Sequence, residues 1–323
     1  MCTAISVNKK NHYFGRNLDF EHTFGEQIII TPRNYRFCFK NGEVRKAKNA
    51  IIGMGVEKCG YPLYFDAVNE KGLGIAGLNF PENAHYNEKK TDKINIASFE
   101  VIPYILSECE NLSDAKKLLS DVNITKEAFS AEMTPTPLHF LIADKSGAIC
   151  LEQTEKGIEV YENPVGVLTN NPEFTIQLFN LSNYMSVSAK ETENRFSQKI
   201  NLKAYSRGMG TIGLPGDFSS ASRFVRASFT KLNSEFGDSE NEILHQFFHI
   251  LYSVYQLKGC VKTQDNFVIT NYTSCCNTDK GIYYYTTYYN SNICAVDMHK
   301  ENLNSKVLIC YPLKNKAEIF MHN

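Results

Sequence analysis

Hydrophobic and polar positions along the chain repeat every second residue in some stretches and at helical spacing in others. Residues 2–8 (CTAISVN) and 12–17 (HYFGRN) flank the polar run Asn8-Lys9-Lys10-Asn11 and predict a hairpin. YFDAV and LGIAGLNF bracket Asn69-Glu70-Lys71-Gly72 and predict a second one, with Lys71-Gly72 suited to the turn. SFEVIPYILSECE (98–110) is apolar at helical spacing, which places Pro103 in its first turn or at a bend. SDAKKLLSDV begins with Ser113 as the expected N-cap. LHFLIAD, the turn DKSG and AICLEQT predict strands again. SSASRFVRASFTKLN and ENEILHQFFHILYSVY are the best amphipathic helices in the chain, and GIYYYTTYYN suits a half-buried strand. Strands, then helices, then strands, without regular βα alternation, predict an α+β fold of antiparallel sheets covered by helices.

The 323 residues are 43% hydrophobic and 21% charged, enough for a sizeable core. With 34 basic and 35 acidic residues the net charge is -1, so no basic stripe points to nucleic acid. No apolar run reaches the length of a membrane span, and the first residues lack the pattern of a signal peptide. A soluble protein retained in the cytoplasm is the expectation. The 10 cysteines include no C-x-x-C pair, so most are read as reduced core residues.

Several motifs look functional in isolation. Gly72-Leu-Gly74-Ile-Ala-Gly77 and Gly208-Met-Gly210-Thr-Ile-Gly213 match G-x-G-x-x-G, but the first lies in a strand pattern and the second runs into Pro215 and Gly216. They are read as turn and close-packing glycines. His245 and His249 lie one helical turn apart in HQFFH. Gln246 stands where a zinc protease carries its acid, so no metal is expected there. Cys275-Cys276 is read as two reduced thiols.

Cys2 stands apart. By itself it reads as a small apolar residue opening a strand, and Arg16 with Asp19 as a structural ion pair. Loss of Met1, usual when the second residue is small, would leave a thiol and a free α-amine on one residue, and an N-terminal amine can act as base for its own side chain. A thiol titrates near roughly 8.5 and an α-amine near roughly 7.7–8.0, so proton transfer costs only about 1 kcal/mol. A cation beside the thiol favours thiolate. Arg16 and Asp19, three apart on a strand, face opposite sides unless the strand bends near Asn17.

MCT, FGRNLDF, Arg33-Asn34, NEKGLGIAGLNFP, GVLTNNPEF, GLPGDFSSASRF and YTSCCNTDKGIYYYTTY occur in this order over nearly the full chain. In this series the chain resembles the choloylglycine hydrolase family, the bile salt hydrolases and penicillin V acylases among the N-terminal nucleophile hydrolases. The resemblance implies one domain over residues 1–323 with Met1 removed, two stacked antiparallel sheets between helical layers, and a homotetramer. It implies Cys2 as nucleophile, Arg16 and Asp19 as the pair organising thiol and amine, Asn79 and Asn170 as oxyanion donors, and Arg223 as a further site arginine. Asn79 in LNFP favours the bile salt branch, since penicillin-preferring relatives commonly carry an aromatic residue there. The implied substrate is a small molecule, a glycine- or taurine-conjugated bile salt, with no cofactor. Phe20, Phe24, Tyr61, Phe65, Phe129 and Met133 are the apolar residues expected around a steroid. Penicillin V or an N-acyl homoserine lactone is the related alternative. A catalytically silent lipid-binding relative and a zinc hydrolase centred on His245 and His249 are the alternatives of another class.

Overall fold

The structure, a computed structural model, describes residues 1–323. Two antiparallel sheets lie face to face. The six-stranded one runs Val167–Leu168, Cys2–Lys9, Asn11–Phe20, Ile269–Asn277, Ile282–Thr287, Asn290–Asp297. The eight-stranded one runs Gly157–Glu162, Gly147–Thr154, Leu138–Asp144, Gly74–Asn79, Tyr61–Asn69, Ile51–Lys58, Gln27–Thr31, Ile309–Pro312. Ala4, Phe14, Met54, Ala76 and Leu141 fill the space between them. Phe224 and Phe247, from helices Ser220–Asn233 and Glu240–Tyr252, extend this core on the outer face of the six-stranded sheet. A second core lies outside the eight-stranded sheet, where Ile75, Phe140 and Ile149 meet Val101, Ile105 and Leu119 of helices Val101–Glu108 and Leu112–Leu119. The layers are therefore helix, sheet, sheet, helix, an α+β sandwich.

Local sequence accounts for these elements. Gly72 closes the second hairpin at φ +96°, a conformation that L side chains rarely adopt. At Gly74 a Cβ would lie 2.7 Å from the Phe14 ring, so this glycine lets the sheets approach. Pro103 falls in the first turn of its helix, where its missing N–H costs nothing. The expected cap at Ser113 is displaced. Asn111 caps Leu112–Leu119 by accepting from the Asp114 N–H, because the residue preceding Leu112 is already extended and its amide reaches that donor. Ser239 and Glu242 form a capping box on Glu240–Tyr252.

The first hairpin pairs Cys2 with Leu18, Ala4 with Arg16 and Asn8 with His12. His12 lies buried between Ser6 Oγ at 2.8 Å and Thr278 Oγ1 at 3.0 Å. Burial pushes its pKa down to about 4, against the raising pull of Asp144 and Asp279. An unfolded histidine titrates near roughly 6.5, so neutral His12 stabilises the fold fully above that pH and progressively less as pH falls toward 4. Through this group the protein is expected to lose about 2 kcal/mol of unfolding free energy between pH 7 and pH 5. His12→Gln should flatten that slope in denaturant titrations at the two pH values; identical slopes would contradict it.

Candidate active site

Cross-strand partners share a face. Cys2 and Leu18, and two residues on Ala4 and Arg16, accordingly face the gap between the sheets. There Cys2, Arg16, Asn79 and Gly77 border a cavity of about 290 Å³. Cys2 is 4% exposed. The Arg16 guanidinium donates to the carbonyls of Phe65 (3.0 Å) and Gly77 (2.5 Å), while its Nη2 is buried without a partner.

Asn17 and Asp19 face the helices instead. Asn17 Nδ2 donates to Leu251 O at 2.9 Å. Asp19 Oδ1 accepts from Thr270 Oγ1 at 2.7 Å, and Arg223 Nη1 lies 3.9 Å from Asp19 Oδ2. The neighbouring strand is irregular between Thr270 and Tyr272, yet Arg16 and Asp19 keep to opposite faces. They flank the start of the chain from its two sides rather than converging.

Asn170 ties these parts together. Its Oδ1 accepts from the Cys2 N–H at 2.7 Å and from Arg223 Nη2 at 2.8 Å. Its Nδ2 donates one hydrogen to the Asn79 carbonyl at 2.7 Å, leaving the other free. Arg223, in the first turn of its helix, also donates to Cys2 O and, at 2.7 Å, to Thr3 Oγ1. Met1 adds one rung to the sheet: its amino group donates to Asp19 O at 2.6 Å, and Asp19 N–H donates to Met1 O at 2.9 Å. With Met1 in place the Cys2 nitrogen is an amide; without it the same nitrogen is an amine facing Asn170.

The charges are buried and compensated. Burial lowers the Arg223 pKa, with Asp19 and Cys2 pulling it back up. Burial acts the same way on Arg16, but the negative charge available at Cys2, Tyr272, Asp66 and Asp19 outweighs it, and its pKa rises. Both guanidiniums stay protonated because they start so high. Burial raises the Asp19 carboxyl, opposed by Arg223, the terminal amine and the Thr270 hydroxyl.

Phe20, Phe24, Phe65, Phe129 and Met133 all line the cavity, together with Leu18, Phe99 and Leu138. Tyr61 does not. It lies in the outer core, its ring 5.9 Å from Phe37 and 5.8 Å from Phe99. Strand alternation sends Tyr61 outward, whereas an irregularity where Met54 pairs with Asp66 but Gly55 with Tyr64 leaves Phe65 unpaired and turned inward. His245 and His249 are exposed and line a separate groove of about 820 Å³ beside Tyr252 and Tyr288. His139, Cys150 and Glu152 also cluster, all buried, with His139 and Glu152 hydrogen-bonded to each other.

The structure adds supporting residues that the sequence did not single out. Gln177 Nε2 donates to Asn170 O and Pro172 O, and Ser220 Oγ accepts from Asn170 N–H at 2.8 Å. Asp66 accepts from Tyr272 (2.6 Å), Tyr283 (2.6 Å) and Ser274 (3.1 Å), close enough for its charge to act on Arg16. A charged residue at an inward position of an apolar strand was the available signal for Asp66.

The model of linear amide C–N hydrolases, choloylglycine hydrolase family, matches residues 2–311. The chain belongs to that family. It is 49% identical over 324 residues to the bile salt hydrolase/transferase of Lactiplantibacillus plantarum, covering 100% of both chains. It is 38% identical to the bile salt hydrolase/transferase of Clostridium perfringens, covering 99% of each. Among solved structures, a mutant conjugated bile acid hydrolase from Clostridium perfringens superimposes with a TM-score of 0.94 at 37% identity, covering 100% of both chains. Penicillin V acylase from Agrobacterium tumefaciens shares the fold, with a TM-score of 0.78 at 18% identity over 99% of this chain and 94% of that one. The sandwich is thus the N-terminal nucleophile hydrolase fold of this family of amide hydrolases.

Proposed function

We propose that the protein hydrolyses the amide of glycine- or taurine-conjugated bile salts with Cys2 as nucleophile. The observation that carries this reading is Cys2 at the wall of an apolar, aromatic-lined cavity that Arg16 and Asn79 also line. After Met1 is lost, the α-amine takes the thiol proton and the sulfur attacks the amide carbonyl. Asn79 and the free Nδ2 hydrogen of Asn170 receive the developing oxyanion. Collapse breaks the C–N bond, the ammonium returns the proton to the departing glycine or taurine nitrogen, and a thioester remains. Water, deprotonated by the same amine, attacks it and releases bile acid and thiol. Arg223 keeps Cys2 and Asn170 in register throughout.

The cavity, about 290 Å³, sits near the lower end of the roughly 300–1,000 Å³ typical of ligand pockets, and Phe20, Phe24, Phe65, Phe129 and Met133 suit an apolar ring system. Glycocholate, taurocholate and penicillin V assayed side by side test the substrate class. Faster turnover of either bile salt is expected. Preference for penicillin V would overturn it.

The same reading takes residues 1–323 as one domain. A homotetramer is supported by the exposed apolar side chains of Phe179, Met185, Phe196 and Tyr205. A cytoplasmic setting is supported by ten cysteines that are all unpaired.

A further inference from the structure

His139 and Glu152 are each 0% exposed, and no step above uses them. They occupy inward positions of adjacent strands, Leu138–Asp144 and Gly147–Thr154, directly behind the segment that carries Asn170. His139 Nε2 bonds to Thr169 O at 2.8 Å and Nδ1 to Glu152 Oε1 at 3.0 Å. A carbonyl can only accept, so Nε2 carries a hydrogen. Glu152 Oε1 also accepts from the Phe174 N–H at 3.0 Å. One buried pair thus holds the segment 169–174 at both ends, by a carbonyl just before Asn170 and by an amide beyond it. The imidazole meanwhile stacks on Phe80, centroids 4.2 Å apart and planes 5° apart. Phe80 follows Asn79.

We infer that His139, held by Glu152, positions both oxyanion donors at once, through the Thr169 carbonyl and the Phe80 ring. The inference rests on the reading of Asn79 and Asn170 given above. His139 is a positioning residue: it touches neither cavity nor thiol. Glu152 sets its orientation, and glutamine could not replace it without loss. With Nε2–H fixed, the bond between Nδ1 and Oε1 needs one proton between two acceptors, which an imidazole–carboxyl pair shares. A glutamine oxygen kept on Phe174 N–H brings no such proton, while an amide turned toward Nδ1 would abandon Phe174.

The test measures kcat and KM on glycocholate, thermal unfolding, and the rate at which iodoacetamide alkylates Cys2. The variants are His139→Phe, which keeps a ring for stacking, and Glu152→Gln. Displacing a donor by a fraction of an ångström should lower kcat by about 10- to 100-fold, with KM within about twofold and alkylation unchanged, since the thiol is not what moved. Unchanged kcat in a folded variant overturns the inference. So does a parallel fall in kcat and alkylation, which marks general disruption of the site. Should His139→Phe fail to fold, Glu152→Gln carries the same readouts. A fast Asn170→Asp variant would instead sink the oxyanion assignment on which the inference rests, a separate result from a separate variant.

Discussion

Cys2→Ala is expected to abolish turnover while leaving the fold intact. In another hydrolase, removing the nucleophile costs on the order of 10⁶-fold in kcat, and no neighbouring group here can take its place. Arg16 and Arg223 are cations, and Asn79 and Asn170 are amides. The fold should survive because the Cys2 backbone makes the structural contacts: its N–H donates to Asn170 and its carbonyl accepts from Arg223. Loss of one buried sulfur costs about 1 kcal/mol. Cys2→Ser should lose most of the rate, because a hydroxyl gives up its proton far less readily than a thiol and is the weaker nucleophile in a site shaped for sulfur. The check is release of glycine from glycocholate beside a melting curve. A melting temperature near that of the parent with no glycine released is the predicted pair; substantial release by the alanine variant contradicts it.

Asn170→Ala is expected to lower kcat by about 10²–10³-fold, the usual cost of one oxyanion donor. It should also destabilise the protein, because Arg223 Nη2 loses its partner in a fully buried setting, a loss of about 1–3 kcal/mol. Asn170→Asp separates the two effects. The carboxylate still accepts from Cys2 N–H and Arg223 but has no hydrogen to offer an oxyanion. It should recover only the part of the stability that rests on Arg223, because the bond to the Asn79 carbonyl is lost in both variants, and little of the rate. Steady-state kinetics with denaturant unfolding on the two variants measures both. A fast aspartate variant would remove Asn170 from the chemistry.

Much of this architecture was legible in the chain because short-range rules decide it. The hairpin opening at Cys2 follows from two alternating runs around Asn8-Lys9-Lys10-Asn11, and the helix bearing Arg223 from an amphipathic repeat behind Ser219. The order of layers was not legible from alternation. Which sheet face meets which helix depends on pairings such as Asp19 with Thr270, more than two hundred residues apart. The motif series named Cys2, Arg16, Asp19, Asn79, Asn170 and Arg223, and all six lie around the chain start. Periodicity assigned Arg16 and Asp19 correctly to opposite faces, but the function of that split emerges only when Arg223 arrives from a helix. Tyr61 and Phe65 show the limit. Both are aromatic residues on one strand, four apart, and only a local irregularity sends Phe65 into the cavity and leaves Tyr61 outside. His139 and Glu152 gave no motif, since their partners are backbone groups that no side-chain pattern reports.

If the working nucleophile and its base share residue 2, the active chain must begin there. Intact-mass spectrometry of active protein, quenched in acid during turnover of glycocholate, tests it most directly. Active protein should be lighter by one methionine, with a fraction carrying the cholyl group on its N-terminal peptide. Full activity in protein that retains Met1, or a substrate adduct on any other residue, would contradict it.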